Sequence, residues 1–332
     1  MDLKRPLYLT FNAIFIFVFV LSCKQDKILP RQEAENCLKI VNSDLINLFD
    51  NAIERPEIIA LNFVRRQGSS PVPFKSNTDS ELFTNEMYNY DNNKGVYNWN
   101  EGSQSFTKIR DTSIVFLSFD LPEDEQKHCV LTFQNYEAVK TNSRTQFPTS
   151  FNTEIFINGI KEFSIAHRAI VTDELPEKID FEAKGTGYSL SLFLKREGSA
   201  KQDTGNVKSL IELKKGLNSV FRTSINADIN YHYPTYSFQY IRFTQTVFNI
   251  SFEGTIDYAN INPTATNYAE NFNQHSDITA YSDINKAILG KIFLGPVKNT
   301  DQLEAYIRFD DKSEVLLSDY ILAWEKLINL KQ

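Results

Sequence analysis

Residue types that build metal and nucleophile sites are scarce in this chain of 332 residues. It contains three cysteines and four histidines, and neither the H-x-x-x-H or H-E-x-x-H spacing of zinc sites nor a C-x-x-C pair occurs. The G-x-S-x-G segment of α/β-hydrolases is also missing; the nearest match, GYSLS at Gly187, differs at its last position and lies in a strand pattern. The sequence therefore suggests no catalytic residue, no metal ligand and no cofactor.

Clustered positive charge is lacking as well. The chain has 35 lysines and arginines against 42 aspartates and glutamates, a formal charge of −7 at pH 7, and no basic stripe occurs. Proteins that bind nucleic acid concentrate Lys and Arg on one surface, because the phosphate backbone supplies much of the affinity. We therefore expect no nucleic-acid partner.

Long apolar runs are absent except near the amino terminus, where one extends from Leu7 to Leu21 behind Lys4 and Arg5. This run has 15 residues, whereas a helix that spans a bilayer takes roughly 20 predominantly apolar residues. A basic start, an apolar run and a small residue, here Ser22, form the layout of an export signal.

The segment Val20-Leu21-Ser22-Cys23 resembles the lipobox of bacterial lipoproteins, which signal peptidase II cleaves. The resemblance implies that the Cys23 thiol receives a diacylglyceryl group, that residues 1–22 are removed, and that the new amino terminus is acylated, for example with palmitate. Each buried methylene of such an anchor contributes about 0.8 kcal/mol, and two chains hold firmly where one does not. A plain cleaved secretion signal and an uncleaved short anchor are the alternatives. Cys23, as a lipidation site, is the one site residue that the sequence suggests.

The chain beyond Cys23 is similar to uncharacterised lipoproteins of the Bacteroidota envelope. A charged tether, KQDK, follows the cysteine, the body is rich in Asn, Phe and Tyr, and the similar segments between about 95 and 225 include GVYNWNEGSQSFTK, FINGIKEFS and GTGYSLSLFLKREG. The resemblance implies a lipid-anchored protein of the outer membrane, and both the periplasmic face and the cell surface remain open. It carries no functional residue.

Hydrophobic periodicity predicts an α+β fold, with a mostly antiparallel, curved β-sheet body and with N-terminal and C-terminal helices. No internal repeat indicates a propeller or a solenoid. The predicted parts are a signal peptide over 1–22, a tether and helical segment over 23–80, a β-rich body over 81–257 and an α+β segment over 258–332.

Apolar residues near the start of the body, Leu38, Val41, Leu45 and Leu48, recur at spacings of three and four. This pattern predicts an amphipathic helix over 31–53. Pro56 is placed to open a second, short helix, because proline is tolerated in the first turn. The following segment, QGSSPVPFKSNTDS, has the composition of an exposed connection.

A period of two begins near residue 82. YSLSLFL places Tyr188, Leu190, Leu192 and Leu194 on one face, as a half-buried antiparallel strand requires. The dipeptide Asn158-Gly159 predicts a tight hairpin. In YSFQYIRFTQTVFNISFEG the alternation shifts, so either two strands meet there or bulges bend one strand.

The last part of the chain mixes both patterns. Segment 263–290 is predicted to be helical. DQLEAYIRFDDKSEVLL predicts a hairpin, and Ser318 is placed to cap a final helix that carries Trp324 and Leu327.

Few residues invite a chemical interpretation. The neighbours His128 and Cys129 lie in a strand pattern, where adjacent side chains point to opposite faces, so we expect no catalytic dyad between them. Cys37 and Cys129 either pair or, as we favour, stay separate as small buried residues. NYDNNKG places its glycine one position too late for a calcium loop, and the acidic residues around Pro122 indicate a solvated loop.

Aromatic residues make up 13% of the chain. Tyr88, Tyr90, Tyr97 and Trp99 lie around one predicted turn. Such rings, if exposed, could stack on sugars or anchor an interface; strands also favour aromatic residues and bury them, which is the interpretation we favour.

Two functional hypotheses follow. The favoured one is a lipid-anchored, non-catalytic envelope protein whose curved sheet binds an envelope glycan, a lipid or a protein partner. The alternative is a membrane-anchored hydrolase whose carboxylates come together only in the fold. An exposed apolar patch would favour the first, and a cleft with several perturbed carboxylates the second.

Overall fold

The computed structural model describes residues 27–74, 88–122, 124–141, 146–198, 202–232, 235–297 and 302–320. Strands make up 58% of these residues and helices 19%. The fold is therefore mostly β, and the predicted α+β class is only roughly right because helices are few. The predicted signal peptide, Cys23 and the predicted C-terminal helix lie outside the described residues.

One curved, open sheet contains all sixteen strands of the described residues. The strands are β1 (Gly95–Asn100), β2 (Ser105–Arg110), β3 (Val115–Leu121), β4 (Asp124–Val139), β5 (Phe147–Ile157), β6 (Ile160–Thr172), β7 (Leu175–Gly185), β8 (Tyr188–Glu197), β9 (Thr204–Lys215), β10 (Asn218–His232), β11 (Thr235–Val247), β12 (Ile250–Asp257), β13 (Ser276–Ser282), β14 (Ile288–Pro296), β15 (Leu303–Arg308) and β16 (Glu314–Leu316). From β3 to β16 each strand is antiparallel to the next along the chain, while β1 lies parallel beside β3 and β2 forms the edge. Short connections favour this order, because a tight turn can join only antiparallel neighbours. The strands before and after residue 257 belong to the same sheet.

The turn between β5 and β6 shows how local sequence sets this order. Asn158 and Gly159 both have positive φ, 50° and 81°. Two such residues form the turn whose twist matches that of the flanking strands, and glycine adopts the conformation without strain. The hairpin predicted from this dipeptide is confirmed.

Two helices, one long and one short, cross one face of the sheet, and both were predicted. The helices of the described residues are α1 (Arg31–Ile53), α2 (Pro56–Arg66), α3 (Tyr90–Asn93) and α4 (Tyr268–Gln274), with short 3₁₀ turns at Tyr258–Asn260 and Leu317–Asp319. The buried residues of α1 include Leu38, Val41, Leu45 and Leu48, so the predicted stripe is the one that faces the sheet. Pro56 occupies the start of α2, as predicted.

Two separate apolar clusters hold the helices on the sheet. The first joins α2 and the segment after it to β1–β7, around the fully buried Phe133 and Phe151. The second joins α1 to β11–β15, around Leu38 and Ile250. Full burial of one such side chain contributes about 1.5–3 kcal/mol. Among the described residues, the members of the two clusters extend from Leu29 to Tyr320.

The two faces of the sheet differ in chemistry, because side chains alternate along each strand. We call the face under α1 and α2 the helix face and the opposite one the polar face. On the polar face, ion pairs link neighbouring strands: Arg242 Nη1 lies 3.4 Å from Asp228 Oδ2, and Lys291 Nζ lies 2.6 Å from Asp277 Oδ1.

The prediction of an exposed connection after α2 is wrong for residues 70–74, which are buried. Val72 is 1% exposed, and the Phe74 ring packs edge-on against Phe133 with 5.5 Å between centroids. Two apolar side chains in a polar, proline-containing segment therefore decide its position. Residues 75–80 of the same prediction lie outside the described residues.

The helix predicted over 263–290 is mostly wrong. Only Tyr268–Gln274 is helical, and β13 and the start of β14 follow. Ile278 and Ala280 pair with Gly254 and Phe252 of β12, and this cross-strand packing outweighs local helical tendency.

The irregular stretch around residue 240 contains both features that its pattern left open, a junction of two strands and a β-bulge. Strands β11 and β12 meet at a turn after Val247, and the pairing of β11 with β10 shifts by one residue between Phe238 and Tyr240. This bulge at Gln239 places Phe238 on the same face as Phe243. The predicted hairpin of β15 and β16 is confirmed.

Candidate functional site

A band of apolar side chains on the helix face belongs to neither core cluster. It lies on β7 to β12, between the two cores, and its members are half-buried except Leu190, which is 37% exposed. Leu192 lies opposite Phe181 on one side and opposite Ile211 on the other, so neighbouring strands form one continuous surface. We call this surface the central band: Ile179, Leu190, Leu192, Leu194, Ile211, Leu213, Ile225, Ile241 and Ile256.

The alternation of YSLSLFL produces this band directly. Tyr188, Leu190, Leu192 and Leu194 share the helix face of β8, as predicted, and the serines between them face the other way. These apolar residues stay only half-buried because the two cores lie to either side of them. The band is therefore built into the strands and does not result from a loop.

Where α1 ends and α2 begins, the helices cross the edge of the band and leave a groove of about 220 Å³. At its rim, Nε of Arg55 donates to Oε1 of the buried Glu57 over 2.6 Å. The ring of Tyr188 lies close to two cations, with its centroid 5.1 Å from the Arg55 guanidinium carbon and 6.0 Å from Lys215 Nζ. The apolar walls of this groove include Leu48, Phe49, Ile58, Phe163, Ala183, Leu190 and Leu213.

A second groove, of about 270 Å³, lies between α1 and strands β11 to β14. Its lining is apolar except for Gln245, and it includes Leu38, Val41, Leu45, Phe243, Val247, Ile278, Ile292 and Leu317. Both grooves open beside α1 on the helix face. An apolar or amphipathic ligand therefore finds contact area there, since such sites are concave and mostly apolar.

The aromatic residues around the turn predicted near Asn92 pack against the first core. The Tyr88 hydroxyl donates to the carbonyl of Pro71 over 2.6 Å, and burial raises the pKa of Tyr88. The ring of Trp99 packs edge-on against Phe63 with 4.9 Å between centroids. Burial also raises the pKa of Tyr136, which packs against Tyr88, to about 12. Tyr97 belongs to the first core, and Tyr88, Tyr90 and Trp99 are half-buried against it, so packing accounts for these rings.

His128 and Cys129 point to opposite faces, as predicted, and form no dyad. Cys129 is buried, and desolvation raises the pKa of its thiol to about 12. The exposed His128 ring instead lies 2.8 Å from a carboxylate oxygen of Asp120 and 3.1 Å from the hydroxyl oxygen of Ser118. Sequence reasoning missed this group, because its members meet only through the pairing of β3 with β4.

The remaining candidates show structural roles. Cys37 and Cys129 are free thiols in different clusters. Asn89 caps the short helix α3 by accepting from the backbone N–H of Asn92 over 3.1 Å, and Lys94 pairs with Asp91. Within the described residues, no group of three or more His, Cys, Asp or Glu side chains is placed to hold a metal ion.

Comparisons with protein families, with curated proteins and with solved structures found no match for this chain. No helix among the described residues is long and apolar enough to span a bilayer.

Proposed function

We propose that this chain is a lipid-anchored cell-envelope protein whose helix face binds a lipid or an apolar surface of a protein partner. Cys23 carries the anchor in this proposal. The observation that supports it best is the central band, which leaves nine large apolar side chains outside both cores. Large contiguous apolar surface is rare on monomeric soluble proteins and marks interaction sites.

The chemistry of the grooves favours a lipid or an apolar partner over a glycan. A sugar would need exposed rings with hydrogen-bonding groups beside them, and Tyr88, Tyr90 and Trp99 are packed against the first core instead. The groove at the α1–α2 junction offers apolar walls with the Lys215 cation near its rim, where Arg55 is already paired with Glu57. This combination suits an acyl chain with an anionic head.

The start of the described chain supports a short tether between anchor and body. The carbonyl of Lys27 accepts from the Ile288 N–H over 2.8 Å, and Leu29 is 3% exposed. Lys27 follows Cys23 by four positions, which at full extension span only about 14 Å. A lipid on Cys23 would therefore hold this end of the sheet close to the membrane surface.

A catalytic alternative has one observation in its favour, the hydrogen-bonded group of Ser118, His128 and Asp120 on the polar face. The alternative of an anchored hydrolase needs several carboxylates that come together, whereas many of the described carboxylates pair with lysine or arginine, as Asp228 does with Arg242. Binding at the helix face is therefore the function that we favour.

Native mass spectrometry of the body, residues 24–332, purified gently from an envelope extract, tests the proposal. We expect a stoichiometric extra mass of lipid, or a cross-linked partner at the band, in the wild type. Leu192→Lys should remove it, because a charge in the band opposes apolar binding. Leu217→Lys is the matched control, since Leu217 lies in the β9–β10 turn and is 98% exposed. Equal capture by both variants, or none by the wild type, would contradict the proposal.

A further inference from the structure

Three side chains on the polar face form a continuous chain of hydrogen bonds. Nδ1 of His128 lies 2.8 Å from Oδ1 of Asp120, and Nε2 of His128 lies 3.1 Å from Oγ of Ser118. An ionised carboxylate only accepts, so Nδ1 carries the proton and Nε2 is left to accept from the Ser118 hydroxyl. Nucleophile, base and orienting carboxylate therefore stand in the order that nucleophilic catalysis by serine requires.

The pairing of β3 with β4 builds this group. Ser118 and Asp120 are two residues apart on β3, so they share a face about 6.7 Å from each other. His128 of β4 lies directly opposite Asp120, and its ring reaches both. The backbone of His128 is fixed by Asn158, whose Oδ1 accepts from the His128 N–H over 2.9 Å and whose N–H donates to the His128 carbonyl over 2.8 Å.

We infer that Ser118, His128 and Asp120 form an acyl-transfer site that hydrolyses carboxylic esters with short apolar acyl groups. This activity lies on the face opposite the central band and goes beyond the binding role proposed for that band.

The surroundings of Ser118 set the class of substrate. Val130 lies directly opposite Ser118 on β4, Phe116 is its neighbour on the same face of β3, and Phe156 lies opposite Val130 on β5. These three half-buried side chains form an apolar patch beside Ser118 on the polar face. An acyl group of a few carbons can rest on this patch while its carbonyl lies over the Ser118 hydroxyl.

An oxyanion donor is available on the other side of the nucleophile. Asn98 of β1 lies directly opposite Ser118 in the parallel pair and is exposed. Backbone N–H groups in the middle of a sheet are engaged in the ladder, so the donor here has to be a side chain. The Asn98 amide can supply one hydrogen bond to the developing oxyanion, a contact that is typically worth about 10²–10³ in rate.

The reaction balances without a cofactor. The Ser118 oxygen attacks the ester carbonyl carbon and gives its proton to Nε2 of His128; the carbon–oxygen bond to the alcohol then breaks, and the alcohol takes that proton. Water next attacks the acyl-serine, again giving a proton to Nε2. The carboxylic acid leaves, and the Ser118 oxygen recovers the proton.

Exposure limits the site to reactive substrates. The side chains of His128 and Asp120 are 54% and 56% exposed, so water surrounds the reacting groups. Hydrogen bonds and charges stabilise a transition state less in water than in a closed site. We therefore expect cleavage of esters, whose alcohols leave readily, and not of amides.

The test uses the full chain in a non-ionic detergent, with p-nitrophenyl butyrate as substrate and a fluorophosphonate as covalent probe. We expect the probe on Ser118, located by peptide mass spectrometry. Ser118→Ala should lose the label and lower the hydrolysis rate at least about tenfold, and His128→Gln should do the same. Ser224→Ala, at an exposed serine elsewhere on the polar face, should change neither.

Asp120 is a positioning residue, and its variants distinguish a loss of His128 orientation from a loss of protein stability. Asp120→Asn should slow the labelling of Ser118 about tenfold or more with the melting temperature unchanged, and Asp120→Glu should restore part of the rate. Two results would overturn the inference: no label on Ser118 in the wild type, or a Ser118→Ala variant that hydrolyses the ester as fast as the wild type. The second result would mean that a histidine imidazole hydrolyses the ester without Ser118.

Discussion

Nε of Arg55 donates to Oε1 of Glu57 over 2.6 Å at the junction of α1 and α2, where the Glu57 side chain is only 4% exposed. A buried carboxylate requires such a partner, because burying an unpaired charge is costly. The same carboxylate lies over Gly185 of β7, where an added Cβ would come within 3.3 Å of Oε1. One ion pair thus fixes the helix junction on the sheet and shapes the rim of the groove beside it.

Replacing Arg55 alone should therefore be costly. We expect Arg55→Met to lower the free energy of unfolding by about 3 kcal/mol, because it leaves Glu57 buried without a partner. The double variant Arg55→Met, Glu57→Gln should recover much of this loss. Chemical denaturation measures the effect. Arg242→Met is the matched control, since its ion pair with Asp228 is exposed and should contribute about 0–1 kcal/mol. Similar losses in both single variants would argue against a buried pair.

The burial of the segment after α2 has its own test. Phe74 is 7% exposed and packs against Phe133 and Phe151. We expect Phe74→Ala to destabilise the protein by about 3–5 kcal/mol, through lost apolar burial and the cavity that remains. Leu217→Ala removes a leucine that is 98% exposed and should stay within about 0.5 kcal/mol of the wild type. Equal effects would mean that residues 70–74 do not belong to the core.

The two described thiols should differ in reactivity. Desolvation raises the pKa of Cys129 to about 12 and also raises that of Cys37, and Cys129 is fully buried whereas Cys37 is half-buried. A rise from 9 to about 12 leaves about a thousandfold less thiolate at pH 8. In the body from residue 24, a thiol reagent should modify Cys37 first and Cys129 only on unfolding. Equal rates in the folded protein would contradict this order, and denatured protein provides the reference.

Local patterns were enough to predict α1, α2 and several strands, among them β8. The stripe of Leu38, Val41 and Leu45 identifies α1, because three-and-four spacing is specific to a helix with one apolar face. Tyr188 to Leu194 identify β8 for the corresponding reason, since alternation is specific to a strand with one apolar face. The helix prediction for segment 263–290 was mostly wrong, because β13 and β14 owe their conformation to pairing with neighbouring strands and not to local sequence.

The candidate sites could not be predicted, because both depend on relations between strands. Which part of the apolar face stays outside the cores depends on where α1 and α2 lie, and no local pattern sets that. The approach of Ser118 to His128 depends on the register of β3 and β4. A shift of one residue would send His128 to the other face, and the sequence around Pro122 does not fix that register by itself.

His167 should make stability depend on pH. Its ring is 8% exposed and stacks on Phe151 with 4.9 Å between centroids. Nε2 donates to the carbonyl of Pro148 over 3.1 Å, and burial lowers the pKa of His167.

In the unfolded chain His167 takes up a proton near the ordinary pKa of about 6.5, whereas in the folded protein it does so only at a lower pH. The free energy of unfolding should therefore fall as the pH drops below about 6.5, by at most about 1.4 kcal/mol per unit, until the folded protein is also protonated. Denaturation at pH 7.5, 6.5 and 5.5 measures the slope. His167→Gln, which keeps a donor for Pro148, should reduce that slope, and an equal slope in both proteins would show that His167 is not its source.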